Sequence, residues 1–284
     1  MMGLNKKYAV ITGCSSGFGI LMAIELAKNN FHVIATMRNM EKRNLLMEKA
    51  NMERVQGQIS IHKLDVTSAE SIEDLKALLN NLPSVDVLIN NAGYAGAGFV
   101  EEIPLDEYRS QFETNVFGTI AVTQAVLPFM RKQRKGTIIN ISSISGRVGF
   151  PGLSPYAASK YAIEGWGESL RLEMKPFGVN IVLIEPGSFR TGIWTTGKKV
   201  TEQSMKKDSP YYAYMRKIQD YLDKSEPFYE DPIIVAKKAA SIVLEENPAL
   251  RYPVGKGVRT RINLKNMLSW KSWEKVMMKT LYKN

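Results

Sequence analysis

The chain has 284 residues, of which 44% are hydrophobic, and it carries a formal net charge of +10. This length and apolar fraction suit one large α/β domain or two small ones, and they argue against a chain that is disordered throughout. The single cysteine, Cys14, excludes an internal disulfide and a cysteine-based metal cluster. The only histidines, His32 and His62, fall at predicted strand positions, so we expect no metal site.

The positions of the charged residues and of the apolar runs indicate which partners and which cellular location to expect. Residues 256–284 contain eight basic residues and one acid, so most of the positive charge lies in the tail. The main body shows no zinc-finger, helix-turn-helix or basic-aromatic signature, and we expect no nucleic-acid partner. Apolar runs are strand-sized, far below the roughly 20 residues of a membrane span. Residues 1–7 lack the apolar core of a secretory signal, so we expect a cytoplasmic protein.

Along the chain, short β-rich segments alternate with longer amphipathic segments. The predicted strands cover Tyr8–Thr12, His32–Met37, Ile59–Leu64, Val85–Asn90, Thr137–Ser142 and Asn180–Ile184. Because these strands are largely apolar, they fit a parallel sheet that helices bury on both faces. We predict α/β architecture: a single doubly wound Rossmann-type domain over residues 1–284, with a C-terminal helical extension.

The alternation lapses after Pro186 and resumes with a predicted helix over Ile233–Glu245 and a strand over Arg251–Val254. Such an excursion over the carboxyl edge of a doubly wound sheet usually shapes a ligand pocket, so we assign residues 188–230 to a substrate-covering segment. Its large side chains could line an apolar pocket or form the loop's own small core. They are Trp194, Tyr211, Tyr212, Tyr214, Met215, Tyr221, Phe228 and Tyr229.

A glycine-rich turn follows the first predicted strand. Gly13, Gly17 and Gly19 have the spacing Gly-x-x-x-Gly-x-Gly, and a helical pattern runs from Ile20 to Asn29. Glycines let the backbone approach a phosphate closely, and the N-terminus of the helix then faces the anion. The spacing departs from Gly-x-Gly-x-x-Gly, and a tight β-α turn would also explain it. Its position between the first strand and the first helix favours dinucleotide binding.

The residue at the end of the second strand distinguishes the two nicotinamide cofactors. An acid there can bind the ribose hydroxyls, whereas an arginine can pair with a 2′-phosphate. Here Arg38 occupies this place, no carboxylate is available, and Ser15 or Ser16 can donate hydrogen bonds. We therefore predict NADP rather than NAD; the alternative is that Arg38 is a solvated loop residue.

Tyr156 and Lys160 are spaced so that a helix would place them on one face, one turn apart. A free tyrosine has a pKa of ~10, and a neighbouring positive charge favours its phenolate. By itself the pair could be an ordinary surface tyrosine beside a solvated lysine. Ser143, however, precedes Tyr156 by thirteen residues at the end of the fifth predicted strand.

These motifs and several others occur in one order along the chain. Asn90-Asn91-Ala92-Gly93 follows the fourth strand, Asn115 lies in Thr114–Gly118, and Pro186-Gly187-Ser188-Phe189-Arg190-Thr191 follows the sixth. With the Ser143, Tyr156 and Lys160 set, the chain resembles the classical branch of the short-chain dehydrogenase/reductase family over about Tyr8 to Thr191. It is most similar in its motifs to steroid- and retinol-dehydrogenase-like members.

The resemblance implies a role for each catalytic residue. Ser143 would hydrogen-bond the substrate oxygen, and Tyr156 would exchange a proton with that oxygen. Lys160 would hold the ribose hydroxyls of the cofactor and lower the pKa of Tyr156. Asn115 would position a water that relays protons to Lys160, or it is a helix-kink residue, and both can hold.

The resemblance also implies a cofactor site. Asp65 would contact adenine, Asn91 and Gly93 the adenine ribose region, and Thr191 the carboxamide. The full set is Gly13, Ser15, Ser16, Gly17, Phe18, Gly19, Arg38, Asp65, Asn91, Ala92, Gly93, Tyr156, Lys160, Pro186, Gly187 and Thr191.

The function we expect is an NADP(H)-dependent oxidoreductase that interconverts a carbonyl and a primary or secondary alcohol, on a lipophilic substrate such as a steroid, a retinoid or a fatty ketone. Two alternatives remain open. One is a reductase of small polar carbonyls, and the other is a catalytically silent NADP-sensing or scaffold protein. Loss of Ser143, Tyr156 or Lys160 would mark the silent protein, and all three are present. The partners we expect are the small-molecule substrate and other copies of the chain, as a homodimer or homotetramer.

The tail, residues 256–284, is basic and amphipathic. Such a stretch can lie on an anionic membrane surface, whereas packing of its apolar face on the body or on a second subunit is more common. The apolar residues that alternate with its lysines are Ile262, Leu264, Met267, Leu268, Trp270, Trp273, Val276, Met277 and Leu281.

Overall fold

A computed structural model describes residues 6–194 and 197–282 of the protein, without the side chains of Trp194 and of residues 280–282. The side chains of Trp194 and Leu281, which entered the pocket and tail predictions, and the basic residue Lys283 lie outside this description.

Seven parallel strands form the central sheet, in the order β3-β2-β1-β4-β6-β7-β9. They are β1 Lys7–Ile11, β2 Phe31–Met37, β3 Ile59–Lys63, β4 Val87–Asn90, β6 Gly136–Ile141, β7 Val179–Pro186 and β9 Arg251–Val254, while β5 Ala95–Ala97 and β8 Lys198–Val200 pair in a separate parallel ribbon. Every residue of β4 and β6 is buried, as expected for strands covered on both sides. The predicted doubly wound fold is confirmed, with strand ends that differ by at most two residues.

Helices cover both faces of the sheet. They are α1 Gly17–Lys28, α2 Arg43–Met52, α3 Ala69–Leu79, α4 Leu105–Phe112, α5 Gly118–Gln133, α6 Ser154–Met174, α7 Tyr212–Ser225, α8 Ile233–Ile242, α9 Val258–Met267 and α10 Trp270–Tyr282. Side chains of β1 alternate between the faces: Ala9 and Ile11 pack in the core with α1, α2 and α8, and Val10 packs with α3, α5 and α6. The sheet therefore has a hydrophobic core on each side.

The topology creates a crevice at one point of the carboxyl edge. From β1 the chain moves outward to β2 and β3, and then returns to β4 on the other side of β1. Helices that follow the two halves pack on opposite faces, so the loops after β1 and β4 diverge and leave room between them. The glycine turn after β1 and Asn91 after β4 both lie at this point.

The segment after β7 contains structure that the sequence did not predict. Its short strand β8 pairs with β5, and its helix α7 is amphipathic. Tyr211 stacks on Phe99 with ring centroids 4.6 Å apart, while Tyr214, Tyr221 and Phe228 are exposed. Three-residue strands carry too little periodicity to be recognised from sequence.

The tail packs on the body as two helices, α9 and α10. Trp273 is 3% exposed and joins Ile262, Val258, Ile144 and Val148 in one hydrophobic cluster. Packing on the body is thus confirmed for the described part of the tail, and contact with a membrane surface stays a prediction. Among the described residues, no helix combines the length and apolarity needed to cross a bilayer.

Candidate functional site

The glycine turn after β1 is built too tightly for side chains. Gly13 has a φ of +73°, and a Cβ there would lie 2.8 Å from the Cα of Ala92. At Gly19 a Cβ would lie 2.3 Å from the carbonyl oxygen of Gly13. Only glycine lets the first turn of α1 pack this closely against the loop that precedes it.

The N-terminus of α1 presents polar groups at its open end. Ser16 is the N-cap in extended conformation, and within the described residues its side chain makes no capping hydrogen bond. The hydroxyl of Ser16 and the first amides of α1 therefore suit an anion, because a helix N-terminus carries unsatisfied N–H groups and a partial positive charge. Together with the tight glycine turn, this arrangement fits the phosphates of a dinucleotide.

Asn91 ties the loop after β4 to the glycine turn. Its Nδ2 donates to the carbonyl oxygens of Thr12, at 2.8 Å, and of Gly13, at 3.0 Å. In return, the Thr12 hydroxyl accepts from the backbone N–H groups of Asn91 and Ala92 at 2.9 and 3.0 Å. Asn91 thus has a structural role that the sequence did not predict, and its predicted contact with the ribose region stays a prediction.

A cleft opens beside this turn, at the carboxyl ends of β4, β6 and β7. Its lining residues are Phe18, Asn91, Gly93, Tyr94, Ile141, Ser142, Ser143, Tyr156, Lys160, Pro186, Gly187, Phe189, Thr191 and Ile193. Nine of the predicted site residues are among them. Ser143, from the end of β6, and Tyr156 and Lys160, from the first turns of α6, are brought together here.

Ser143 and Tyr156 are hydrogen-bonded to each other. Burial raises the pKa of Tyr156 to about 12, and the hydrogen bond from Ser143 offsets this only in part. Ser143 Oγ also accepts from the N–H of Ser145 at 3.1 Å, which fixes its orientation. These contacts distinguish Ser143 from Ser142, whose buried hydroxyl has no hydrogen-bond partner within the described part of the chain.

Lys160 is buried beside Tyr156, with Nζ 5.6 Å from the centroid of the tyrosine ring. Its Nζ donates to the carbonyl oxygen of Ile141 at 2.8 Å. Burial lowers the pKa of Lys160 to about 8, against the opposing effect of the Glu164 charge. The predicted lowering of the Tyr156 pKa is therefore not found here, because burial disfavours the charged forms of both groups.

Asn115 lies behind the cleft, in a π-helical turn over Glu113–Phe117 that joins α4 to α5. Its Nδ2 donates to the carbonyl oxygen of Tyr94 at 3.0 Å and to Ser159 Oγ at 3.2 Å, and its Oδ1 accepts from the N–H of Tyr94 at 3.1 Å. A π turn is a feature at which helices bend and one that is frequent at functional sites, and the helix-kink interpretation stays a prediction. The predicted role in holding a water stays a prediction.

Arg38 and Asp65 follow β2 and β3, outside the residues that line the cleft. Arg38 is exposed, and its positive charge favours the ionised form of Asp65. Burial raises the pKa of Asp65, but hydrogen bonds from Thr67 and the charge of Arg38 outweigh it and lower the pKa overall. A ligand that reaches both from the cleft must be elongated along the carboxyl edge of the sheet.

The sequence left open whether the large residues after β7 line the pocket or form a small core of their own, and those whose side chains the structure describes do not line this cleft. None of Tyr211, Tyr212, Tyr214, Met215, Tyr221, Phe228 and Tyr229 is among the described lining residues. The apolar wall consists instead of Phe18, Tyr94, Ile141, Phe189 and Ile193. Phe18 and Phe189 pack edge to face, with centroids 5.7 Å apart. Phe18 lies inside the glycine turn and Phe189 inside the Pro186–Thr191 motif, so these motifs were their signal in the sequence.

Relatives of known sequence share most of the chain. It is 45% identical over 280 residues to "Uncharacterized oxidoreductase YusZ" of Bacillus subtilis (strain 168), covering 98% of this chain and 100% of that protein. It is 34% identical over 261 residues to "Retinol dehydrogenase 8" of Homo sapiens, covering 88% of this chain and 82% of that protein.

Solved structures share the fold. A short-chain dehydrogenase from Streptomyces avermitilis superposes with a TM-score of 0.80 at 33% identity, covering 96% of this chain and 98% of that one. A structure described as ElxO with NADP bound superposes with a TM-score of 0.73 at 27% identity, covering 90% of this chain and 99% of that one. The family described as short chain dehydrogenase matches residues 7–201, which include the glycine turn and the catalytic residues proposed above. The chain therefore belongs to the short-chain dehydrogenase family of oxidoreductases.

Proposed function

We propose that this protein is an NADP(H)-dependent oxidoreductase that interconverts a carbonyl and a primary or secondary alcohol. The observation that carries the proposal is the meeting of Ser143, Tyr156 and Lys160 in one cleft beside the glycine turn. All three side chains that proton transfer at an oxygen requires are present, which argues against a silent sensor of the same fold.

The buried phenol of Tyr156 suits the reductive direction, because reduction of a carbonyl needs a proton donor at the oxygen. With a pKa of about 12, the phenol of Tyr156 stays protonated at neutral pH and can donate its proton to a substrate oxygen that is gaining charge. Ser143 supplies a second hydroxyl at the same place, so the oxygen would be held by two groups. Bound NADPH would supply the hydride that this chemistry needs.

Support for NADP comes from the residues at the end of β2. Arg38 is exposed there between the uncharged residues Met37 and Asn39, and Ser16 makes no side-chain capping hydrogen bond at the described start of α1. A guanidinium can hold a 2′-phosphate by two parallel hydrogen bonds. The solved ElxO structure, whose description records bound NADP, belongs to a protein of the same fold.

Replacing Arg38 by alanine should weaken NADPH binding by about 10- to 100-fold, since a hydrogen bond to a charged group contributes about 1.5–3 kcal/mol. NADH has no 2′-phosphate, so its affinity should change little. Fluorescence titration with both cofactors measures the difference. Arg131→Ala removes the same charge from the exposed C-terminal turn of α5 and should leave both affinities unchanged. Equal losses for NADPH and NADH would refute the assignment of Arg38.

We infer a lipophilic substrate from the wall of the cleft. Tyr94, Phe189 and Ile193 surround the reacting hydroxyls with apolar surface, and such surface favours apolar ligands. "Retinol dehydrogenase 8" is the name of a relative, and a retinoid is one substrate of this class.

A screen with NADPH should therefore give the highest kcat/KM with retinoid, steroid and fatty carbonyls, and the lowest with sugar carbonyls. NADPH oxidation followed at 340 nm measures each rate. Activity confined to small polar carbonyls would replace the lipophilic class by the polar one. NADPH binding without turnover of any carbonyl would favour the sensor or scaffold. A homodimer or homotetramer, and cytoplasmic location, stay predictions.

A further inference from the structure

A cluster of buried charges lies directly behind Lys160. Glu164 follows Lys160 by one turn of α6, Glu185 is the penultimate residue of β7, and Arg251 begins β9. Glu164 is 4% exposed and Glu185 is fully buried. Carboxylates are rarely buried so completely unless they are paired, so the contacts of these two decide what the cluster does.

Arg251 connects the two acids. Its Nε lies 2.8 Å from Glu164 Oε2 and 3.4 Å from Glu185 Oε1, and its NH2 group lies 2.5 Å from Glu168 at the rim. Arg147, from the loop after β6, donates to Glu185 Oε1 at 2.9 Å. The cluster thus joins four elements that meet beneath the cleft.

The pairing of the acids is incomplete. Glu164 Oε1 and Glu185 Oε2 are both buried and have no hydrogen-bond partner among the described residues. A buried carboxylate with an unpartnered oxygen costs free energy, and a buried ion pair is weak evidence for stability. A contribution to folding stability therefore does not explain why Glu164 and Glu185 are buried here.

The charge of Glu164 also acts on Lys160, and this effect gives the buried cluster a role other than stability. Burial removes solvent from the Lys160 ammonium and lowers its pKa to about 8, while the Glu164 charge acts in the opposite direction. From β6, the group that contacts Lys160 is the uncharged carbonyl of Ile141. On its own helix the ionisable neighbours are Tyr156 and Glu164.

The more distant charges act on Lys160 through Glu164. Arg251 of β9 holds one of its oxygens, and Glu185 of β7 and Arg147 after β6 complete the cluster. Glu168 contacts Arg251 from the exposed rim and is half accessible to solvent, so its charge is screened.

We propose that Glu164 is a positioning residue that keeps the buried Lys160 positively charged, and that Arg251 holds the Glu164 carboxylate in the orientation this requires. The role of Lys160 in holding cofactor hydroxyls rests on the proposed function above. The electrostatic coupling between Glu164 and Lys160 does not, and it can be measured on the protein alone.

The test is Glu164→Gln, which keeps the shape of the side chain and removes its charge. The ¹³Cε signal of Lys160, assigned by its loss in Lys160→Arg, is titrated by NMR in the absence of cofactor. The titration midpoint of Lys160 should move to lower pH by about one unit in E164Q. Glu168→Gln removes a charge that also contacts Arg251, but from the surface, and should leave the midpoint in place.

The same variants give a second readout. The alkaline limb of kcat/KM with NADPH should move to lower pH in E164Q and not in E168Q. Should E164Q not fold, Glu164→Leu takes its place, because Arg251 keeps Glu168 and Glu185 as partners. An unchanged Lys160 midpoint, or equal shifts in E164Q and E168Q, would overturn the proposal. A shifted Lys160 midpoint in a protein that turns over no substrate would support the coupling between Glu164 and Lys160 and would refute the proposed oxidoreductase function.

Discussion

Replacing Tyr156 by phenylalanine should lower kcat by about 10³-fold, because proton transfer by a positioned side chain contributes about 10²- to 10⁴-fold. Affinity for NADPH should stay nearly the same, since the ring still fills its buried place beside Lys160 and only the hydroxyl is lost. Single-turnover kinetics with NADPH and fluorescence titration separate the chemical step from binding.

Tyr161 provides a matched control on the same helix. It is 41% exposed, and its hydroxyl accepts a hydrogen bond from Lys265 rather than facing the cleft. Tyr161→Phe should retain full activity. If Tyr156→Phe kept its turnover, Tyr156 could not be the proton donor, and the proposed mechanism would fall.

Replacing Gly19 by alanine should abolish tight cofactor binding and destabilise the protein by about 1–3 kcal/mol, as overpacking does in well-packed interiors. The new Cβ would lie 2.3 Å from the Gly13 carbonyl oxygen and 2.8 Å from Asn91 Nδ2. Neither neighbour can give way cheaply, since one is backbone and the other ties two loops together. Urea denaturation and NADPH titration measure the two effects.

Gly165→Ala is the control for Gly19→Ala. Gly165 lies in α6, and a Cβ there meets no atom within 4 Å. Alanine is the better helix former, so the control should be neutral or more stable by about 0.5–1 kcal/mol, with unchanged cofactor affinity. Equal behaviour of the two variants would contradict the packing argument for the glycine turn.

The central sheet was predictable because its signals are local. Strands such as Val179–Pro186 contain continuous apolar runs, here Ile181 to Ile184, and their alternation with helices admits few topologies. Motif order along the chain then placed Ser143, Tyr156 and Lys160 at the carboxyl edge, where the structure brings them together.

Predictions that depended on contacts between distant segments were less successful. Aromatic composition left open whether residues such as Tyr211 line the pocket or a small core of the loop, and Tyr211 stacks on Phe99 outside the cleft. The pKa of Tyr156 was predicted from the charge of Lys160, whereas burial by surrounding elements dominates it. The spacing of residues along the chain predicts neither how a long loop packs nor which groups are shielded from solvent.

Residue patterns along the chain were enough to predict the fold, the family and the meeting of Ser143, Tyr156 and Lys160, because periodicity and short motifs depend on neighbours in sequence. Tertiary structure alone decided which apolar side chains form the wall of that cleft and how far burial moves the pKa values of Tyr156 and Lys160. It also decided that Glu164 shares a buried cluster with Glu185 and Arg251, since these residues come from three elements far apart in sequence. Solvent exclusion and charge pairing act through space, and only the folded chain defines those distances.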